Sequence, residues 1–283
     1  MTLQELYRKT WQSLEAAWPQ SCRFEASQLL ELVTGAAARD LPLLGERPVS
    51  GEQERRLESL AARRAAGEPL QYILGEWEFY GLPFAVGEGV LVPRGDTETI
   101  VDTALALLKG WEKPAVADLC SGSGAIAMAL HQNLPDARLY AVELSEAALP
   151  YLRKNVAALS QPGKPPVEII RGDVLAGVSL PPLAMVVSNP PYIPWEELPT
   201  LAPDVQREPK MALDGGRDGL LFYREITRRY RETLLPGGFL VYEVGYNQAD
   251  AVEELLRQAG FPEVTSVRDL AGVRRCVWGR LPG

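Results

Sequence analysis

The chain has 283 residues, 46% of them hydrophobic and 23% charged, enough for a sizeable core and a two-domain globular protein. With 29 Lys and Arg against 37 Asp and Glu, its net charge of −8 argues against a protein whose main task is gripping a nucleic-acid backbone. The cysteines, Cys22, Cys120 and Cys276, are widely spaced and form no CxxC pair, which excludes a disulfide framework or zinc site and favours a reducing compartment.

Residues 1–70 read as a helical domain. Leu3, Leu6, Tyr7, Trp11, Leu14 and Trp18 recur at helical spacing before Pro19. Phe24, Ala26, Leu29, Leu30 and Val33 form a second stripe that Gly35 can terminate. Ser50 and Gln53 make a capping box ahead of an Arg-rich third helix that stops near Gly67. Its arginines are either a solvated face or a docking surface for a partner. The segment opened by Met1 is polar and amphipathic, so no signal peptide is expected, and no apolar run reaches membrane-spanning length. A cytoplasmic protein is the expectation.

Residues 71–93 change character: aromatics alternate with polar residues and glycines punctuate, which predicts a β-hairpin connector. From residue 94 to residue 283 the chain alternates strand and helix. "PAVADL", "ARLYAVEL", "VEIIRGD", "LAMVVSN" and "GFLVYEVG" are strand-like, with helical segments between most of them. Such alternation calls for an α/β fold with a parallel sheet covered on both faces. "EVTSVRD" and "RRCVWGR", with no helix between them, predict a closing antiparallel pair.

The chemistry gathers at the strand ends. "ADLCSGSGAIAMAL" places Asp118 at a strand end, then Cys120, Ser121, Gly122, Ser123 and Gly124, then a helix. Glycines let the backbone approach a ligand closely, and a helix N-terminus favours polar or anionic groups. A GxG alone is equally a plain tight turn. Glu143, ending the next strand, strengthens the ligand reading because an acid there accepts hydrogen bonds from two ribose hydroxyls. Asp173 ends the third strand, where an adenine edge lies in such folds. A dinucleotide remains open on this loop, since Ala127 stands where a third glycine would.

The fourth strand runs into Asn189, Pro190, Pro191 and Tyr192. Neither proline donates to a strand ladder and each fixes φ, so the chain leaves the sheet on a stiff turn. Ligands in open α/β sheets bind beyond the carboxyl ends of the strands, which brings Asn189 and Tyr192 to the glycine loop. The Asn189 carbonyl oxygen and the Pro190 backbone C=O can accept both hydrogens of a planar –NH2 group, with Tyr192 stacked on its face. This clamp suits an amide or an exocyclic amine whose nitrogen must be aimed at an electrophile. His131, the single histidine, is expected at the surface, and no metal is expected.

At these residues the chain resembles S-adenosylmethionine-dependent methyltransferases of the Asn-Pro-Pro-Tyr type. More narrowly it is similar to the HemK/PrmC family, the release factor glutamine-N5 methyltransferases, through "QYILGEWEFYG", "LVPRGDTE", "DLCSGSGAIA", "NPPYIP" and "REPKMALDGGRDGLLFYREI". The resemblance covers nearly the whole chain. It implies a class I methyltransferase domain, Rossmann-like with a seven-stranded, mainly parallel sheet, behind a small N-terminal helical domain that docks the substrate. It implies S-adenosyl-L-methionine as cofactor, with S-adenosyl-L-homocysteine as product. Cys120 to Gly124 would line its methionine part, Glu143 would hold the ribose, and Asp173 and Val174 would flank the adenine. Arg94 and Thr97 lie in the segment that closes over the cofactor, and Asn189 contacts the substrate amide beside the sulfonium, with Pro190, Pro191 and Tyr192 around it. The implied substrate is the glutamine of the Gly-Gly-Gln loop in peptide chain release factors. Gly95, Glu143 and Val174 depart from the family's usual proline, aspartate and aromatic residue. The competing readings are a ribosomal protein glutamine, an exocyclic amine in DNA or RNA, and a binding module without turnover. Nucleic acid fits poorly with the acidic charge and the small helical domain, and a monomer is expected.

Overall fold

Capping chemistry sets the ends of the N-terminal helices. Thr2 and Glu5 form a reciprocal box at the start of α1 (Leu3–Leu14), with the Glu5 carboxylate accepting from the Thr2 N–H at 2.9 Å. Helix α2 (Cys22–Thr34) ends at Gly35, whose φ of 70° closes the last turn with an N–H to the Glu31 carbonyl. Ser50 and Gln53 make a second box at α3 (Gly51–Ala65). Leu3, Leu6, Leu14, Leu29, Leu30 and Leu57 from the three helices are fully buried. Phe24, expected on the α2 stripe, is instead 53% exposed. The buried positions of α2 are Cys22, Glu25, Ala26, Leu29 and Leu30, and residue 24 lies off that face.

The Arg-rich helix is not wholly solvated. Arg64 turns inward and clasps the buried Glu25 carboxylate through two N–H donors at 2.6 and 2.9 Å. Its guanidinium also lies 3.4 Å from the centre of the Trp18 ring and reaches Asp204 at 3.3 Å.

The computed structural model describes residues 1–283 and divides the chain into two compact units. One comprises Met1–Glu76 with Ala202–Arg207, the other Trp77–Leu201 with Glu208–Gly283. Within the stretch 71–93, a helical turn (Leu70–Leu74) precedes a hairpin of β1 (Glu76–Phe79) and β2 (Leu82–Ala85). Tyr80 and Gly81, both at positive φ, make the tight turn, and Phe79 packs edge-on against Phe84.

The second unit carries β3 (Ala115–Leu119), β4 (Arg138–Glu143), β5 (Val167–Arg171), β6 (Leu183–Ser188), β7 (Leu234–Glu243), β8 (Glu263–Arg268) and β9 (Arg274–Arg280). They form one seven-stranded sheet in the order β5-β4-β3-β6-β7-β9-β8. Strands β3 to β7 are parallel, and β9 runs antiparallel to both neighbours, as the helix-free closing pair predicts. Side chains alternate between two cores. Val116, Val187 and Val241 join α4 (Glu98–Leu107), α5 (Ala125–Asn133) and α6 (Leu149–Leu159) on one face. Ala117, Val186 and Leu240 join α7 (Leu221–Tyr230) and α8 (Ala249–Gln258) on the other. Burial on both faces is why these strands read as continuous apolar runs. Helix α5 is buried along most of its length, and His131 goes with it: only 1% exposed, its Nε2 accepts from the Gln161 N–H at 3.2 Å, which corrects the surface placement. No helix is long and apolar enough to cross a membrane.

Candidate active site

The strand order turns at β3, whose neighbours β4 and β6 lead to opposite halves of the sheet, so a crevice opens above their carboxyl ends. A cavity of ≈ 450 Å³ lies there, a volume typical of small-molecule sites. Cys120 to Ser123 wall it after β3, Glu143 after β4, Asp173 and Val174 after β5, and Asn189 and Pro191 after β6. Arg94 and Thr97 complete the wall from the segment ahead of α4.

The loop after β3 is strained and heavily pinned. Cys120, a non-glycine, sits at a φ of 62°, and the Ser121 hydroxyl donates to the Asp118 carbonyl at 2.7 Å. The Gly122 N–H donates to one oxygen of Glu143 and the Ser145 N–H to the other, both at 2.7 Å. Each carboxylate oxygen keeps a lone pair, so Glu143 holds the loop and can still accept from a ligand's hydroxyls. A Cβ on Gly122 would meet nothing within 4 Å, leaving bare backbone on the ligand side. Gly124 has a different reason: a Cβ there would come 2.6 Å from Leu152, so this glycine admits α6 rather than a ligand.

Asp118, completely enclosed beneath the loop, accepts from the Ala127 N–H at 3.1 Å through one oxygen, while its other oxygen has no partner. Burial pushes its carboxyl up to about 7, against the hydrogen bond from the Ala127 N–H. The folded protein therefore binds this proton more tightly than the unfolded chain. The stabilisation is present at acidic pH and is lost as pH rises from the ordinary carboxylate range through about 7. In urea unfolding, the wild-type protein should lose more stability between about pH 5 and about pH 8 than Asp118→Asn does. Equal slopes would show that Asp118 does not titrate in that window.

Two segments far apart in the chain close the cavity's mouth. Glu208 pairs with Arg94 and accepts from the Val92 N–H at 3.0 Å, fastening residues 89–94 to the start of the segment Pro209–Gly216. That segment is laid along the Asn-Pro-Pro-Tyr turn: the Ile193 N–H donates to the Leu213 carbonyl and the Gly215 N–H to the Ile193 carbonyl, both at 2.9 Å. A Cβ on Gly215 would lie 2.6 Å from the Tyr192 backbone, and one on Gly219 2.4 Å from the Tyr192 carbonyl oxygen. Close backbone approach thus accounts for Gly215 and Gly219 of "LDGGRDG", while Gly216 sits at a φ of 87°.

Of the residues expected at the site, Gly124, Pro190 and Tyr192 are not on the cavity wall. The Tyr192 ring packs into the second core, and its hydroxyl donates to Glu243 Oε1 at 3.4 Å. The Asn189 Nδ2 donates to the Thr97 hydroxyl at 3.3 Å, which leaves the Asn189 carbonyl oxygen for the cavity. Sequence reasoning missed Glu208 and Glu243. A carboxylate ending an apolar strand, as in "VYEVG", was the available signal for the second.

Residues 5–75 match the family model of the PrmC N-terminal domain, and residues 98–202 that of the methyltransferase small domain. The release factor glutamine methyltransferase of Burkholderia pseudomallei is 41% identical over 263 residues, covering 92% of each chain. That of Moorella thermoacetica is 39% identical over 277 residues, covering 98% of this chain and 97% of its own. Among solved structures, a methyltransferase from Pyrococcus furiosus superposes with a TM-score of 0.53 over 83% of this chain and 100% of its own. Its identity of 17% makes that a likeness of fold. Near 40% identity across almost the whole length, with both family models matched in order, means that the chain belongs to the release factor glutamine methyltransferase family.

Proposed function

We propose that this protein transfers a methyl group from S-adenosyl-L-methionine to the side-chain amide nitrogen, N5, of the glutamine in the Gly-Gly-Gln loop of peptide chain release factors. The observation that carries this is one cavity shared by the glycine loop, Glu143 and Asn189 in a chain of this family. The cavity's chemistry fits the cofactor: carboxylates at two strand ends for hydroxyl and amine groups, apolar Val174 on the same wall, and bare backbone at Gly122. When bound, S-adenosylmethionine supplies a methyl group made electrophilic by its positively charged sulfur.

The chain's own part is to aim and isolate the amide nitrogen. Asn189 offers its carbonyl oxygen to one hydrogen of the substrate –NH2 group, and the Pro190 C=O takes the other. The two prolines hold that geometry stiffly. Positioning and exclusion of water then account for most of the rate, an effect worth up to about 7–11 kcal/mol. No carboxylate is needed as base, because the alkylated nitrogen is acidic and loses its proton after transfer. Incubation with labelled cofactor tests the reading: label is expected on a release factor, and not on its Gln-to-Glu variant or on unmethylated DNA. Label on DNA, or equal label on the variant, would overturn it.

Glu143 holds the ribose in this proposal. Glu143→Ala should weaken cofactor binding in calorimetry by about 1–3 kcal/mol, the worth of buried hydrogen bonds lost. Unchanged affinity would put the ribose elsewhere.

The helical unit docks the protein substrate. Supporting this, Leu43 and Phe24 stand 89% and 53% exposed on it. Leu43→Glu and Phe24→Glu should raise the KM for the release factor several-fold at unchanged kcat and unchanged cofactor affinity. An unaltered KM in both would remove that role from this surface.

A further inference from the structure

Gln248 stands just ahead of α8, only 7% exposed, yet its side chain caps nothing in that helix. Its amide reaches instead to three loops. Nε2 donates to the Tyr192 carbonyl at 2.8 Å and to the Gly219 carbonyl at 3.3 Å, while Oε1 accepts from the Gly245 N–H at 3.0 Å. The –NH2 group of a glutamine carries two hydrogens, so one side chain serves both carbonyls. Turned over, the amide would set its oxygen against two carbonyl oxygens and its –NH2 against an N–H, so its orientation is fixed. Two glycines leave it room. A Cβ on Gly219 would come 2.5 Å from Nε2, and one on Gly245 2.8 Å from Oε1.

We propose that Gln248 is a positioning residue which, through the Tyr192 carbonyl, holds the Asn-Pro-Pro-Tyr turn in the geometry that aims the substrate amide. The inference rests on the roles assigned above to Asn189 and Pro190. On its entry side the turn is anchored by β6, where Ser188 pairs with Leu119 and Tyr242. On its exit side, the backbone bonds from Ile193 to Leu213 and from Gly215 to Ile193 tie the turn to the segment at the cavity mouth. Those bonds join one loop to another. Gln248 ties both loops to the loop between β7 and α8, through Tyr192 in the first and Gly219 just beyond the second. The hold reaches the clamp because little freedom separates the Tyr192 carbonyl from that of Pro190. The Pro191 ring fixes its φ, leaving ψ of Pro191 and the two torsions of Tyr192. Gln248 itself is not on the cavity wall, so it acts through the turn and touches neither cofactor nor substrate.

The test compares Gln248→Met with Val252→Ala in the full chain. Methionine keeps the length and volume of glutamine but gives no hydrogen to either carbonyl. Because a displacement of about 1 Å in a positioned group can cost about a hundredfold, kcat should fall about tenfold or more. Affinity for S-adenosylmethionine and the KM for the release factor should stay within about twofold. Val252, fully buried on α8 in the second core, is the control for lost packing alone. Val252→Ala should lower the urea midpoint yet leave kcat within about twofold of wild type. Gln248→Asn keeps the amide but is one methylene too short, and it should slow the reaction as the methionine variant does, which covers a failure of that variant to fold. A readout free of turnover follows hydrogen exchange of the Gln248 side-chain amide by NMR in the cofactor-free wild type. Its two hydrogens should exchange about tenfold or more slowly than those of exposed glutamines. A kcat near wild type in either Gln248 variant, cofactor affinity falling as steeply as kcat, Val252→Ala as slow as Gln248→Met, or amide exchange as fast as at exposed glutamines would each overturn the proposal. A wild-type enzyme that leaves release factors unlabelled would instead overturn the functional reading, and the amide exchange would still test the hold on the turn.

Discussion

Replacing Asn189 with alanine is expected to lower kcat by about a hundredfold or more while changing the affinity for S-adenosylmethionine far less. A hundredfold is about 2.7 kcal/mol of lost transition-state stabilisation, of the order expected when one of two groups orienting a reacting atom is removed. Alanine deletes the acceptor for one substrate hydrogen and breaks the bond to Thr97, but leaves the Pro190 carbonyl on its stiff turn. The substrate amide then rotates about its remaining bond, and its nitrogen spends little time in line for attack. Glu143 and its bonds to Gly122 and Ser145 are untouched, so the cofactor side of the cavity is preserved. Steady-state kinetics on a release factor, paired with calorimetric titration of the cofactor, separates the two effects. An unchanged kcat, or cofactor binding that falls as steeply as kcat, would show that Asn189 does not orient the acceptor.

The second large effect lies away from the cavity. Arg64→Met should destabilise the helical unit by about 3–5 kcal/mol, because it strands the Glu25 carboxylate in the interior. Both side chains are almost fully enclosed, at 4% and 5% exposure. Arg64 also donates to the Glu68 carbonyl at 3.0 Å, and Trp18 covers its guanidinium face. Methionine replaces the volume but none of the donors. The penalty belongs mainly to the orphaned charge, so adding Glu25→Leu should recover much of the loss. Urea unfolding of the three variants measures this directly. A cost below about 1 kcal/mol in the single variant would mean that Glu25 finds water or a proton when Arg64 is gone.

Much of the second unit was legible in the residue order, for a local reason. Strand and helix periods, the Gly-Ser-Gly loop and the Asn-Pro-Pro-Tyr turn are written in consecutive residues, and a parallel sheet must gather its strand ends on one side. That is why Cys120, Glu143, Asp173 and Asn189 were found on one wall, as the pattern predicted. The capping boxes at Thr2 and Ser50 are equally local. What the residue order left open concerns partners distant in the chain. Glu25 and Arg64 lie 39 positions apart, and Arg94 and Glu208 lie 114 apart. In the sequence each is one charge among many, and a charged residue is by default solvated. His131 was misplaced for a related reason, since a helix packed on several sides has no exposed face on which to leave a polar residue. Tyr192 was legible as part of a motif, but the direction of its ring was settled by a buried carboxylate, Glu243, 51 positions away. Local sequence dictates where the backbone can turn. Which buried polar groups meet is decided only when the folded chain excludes water and each must find a partner.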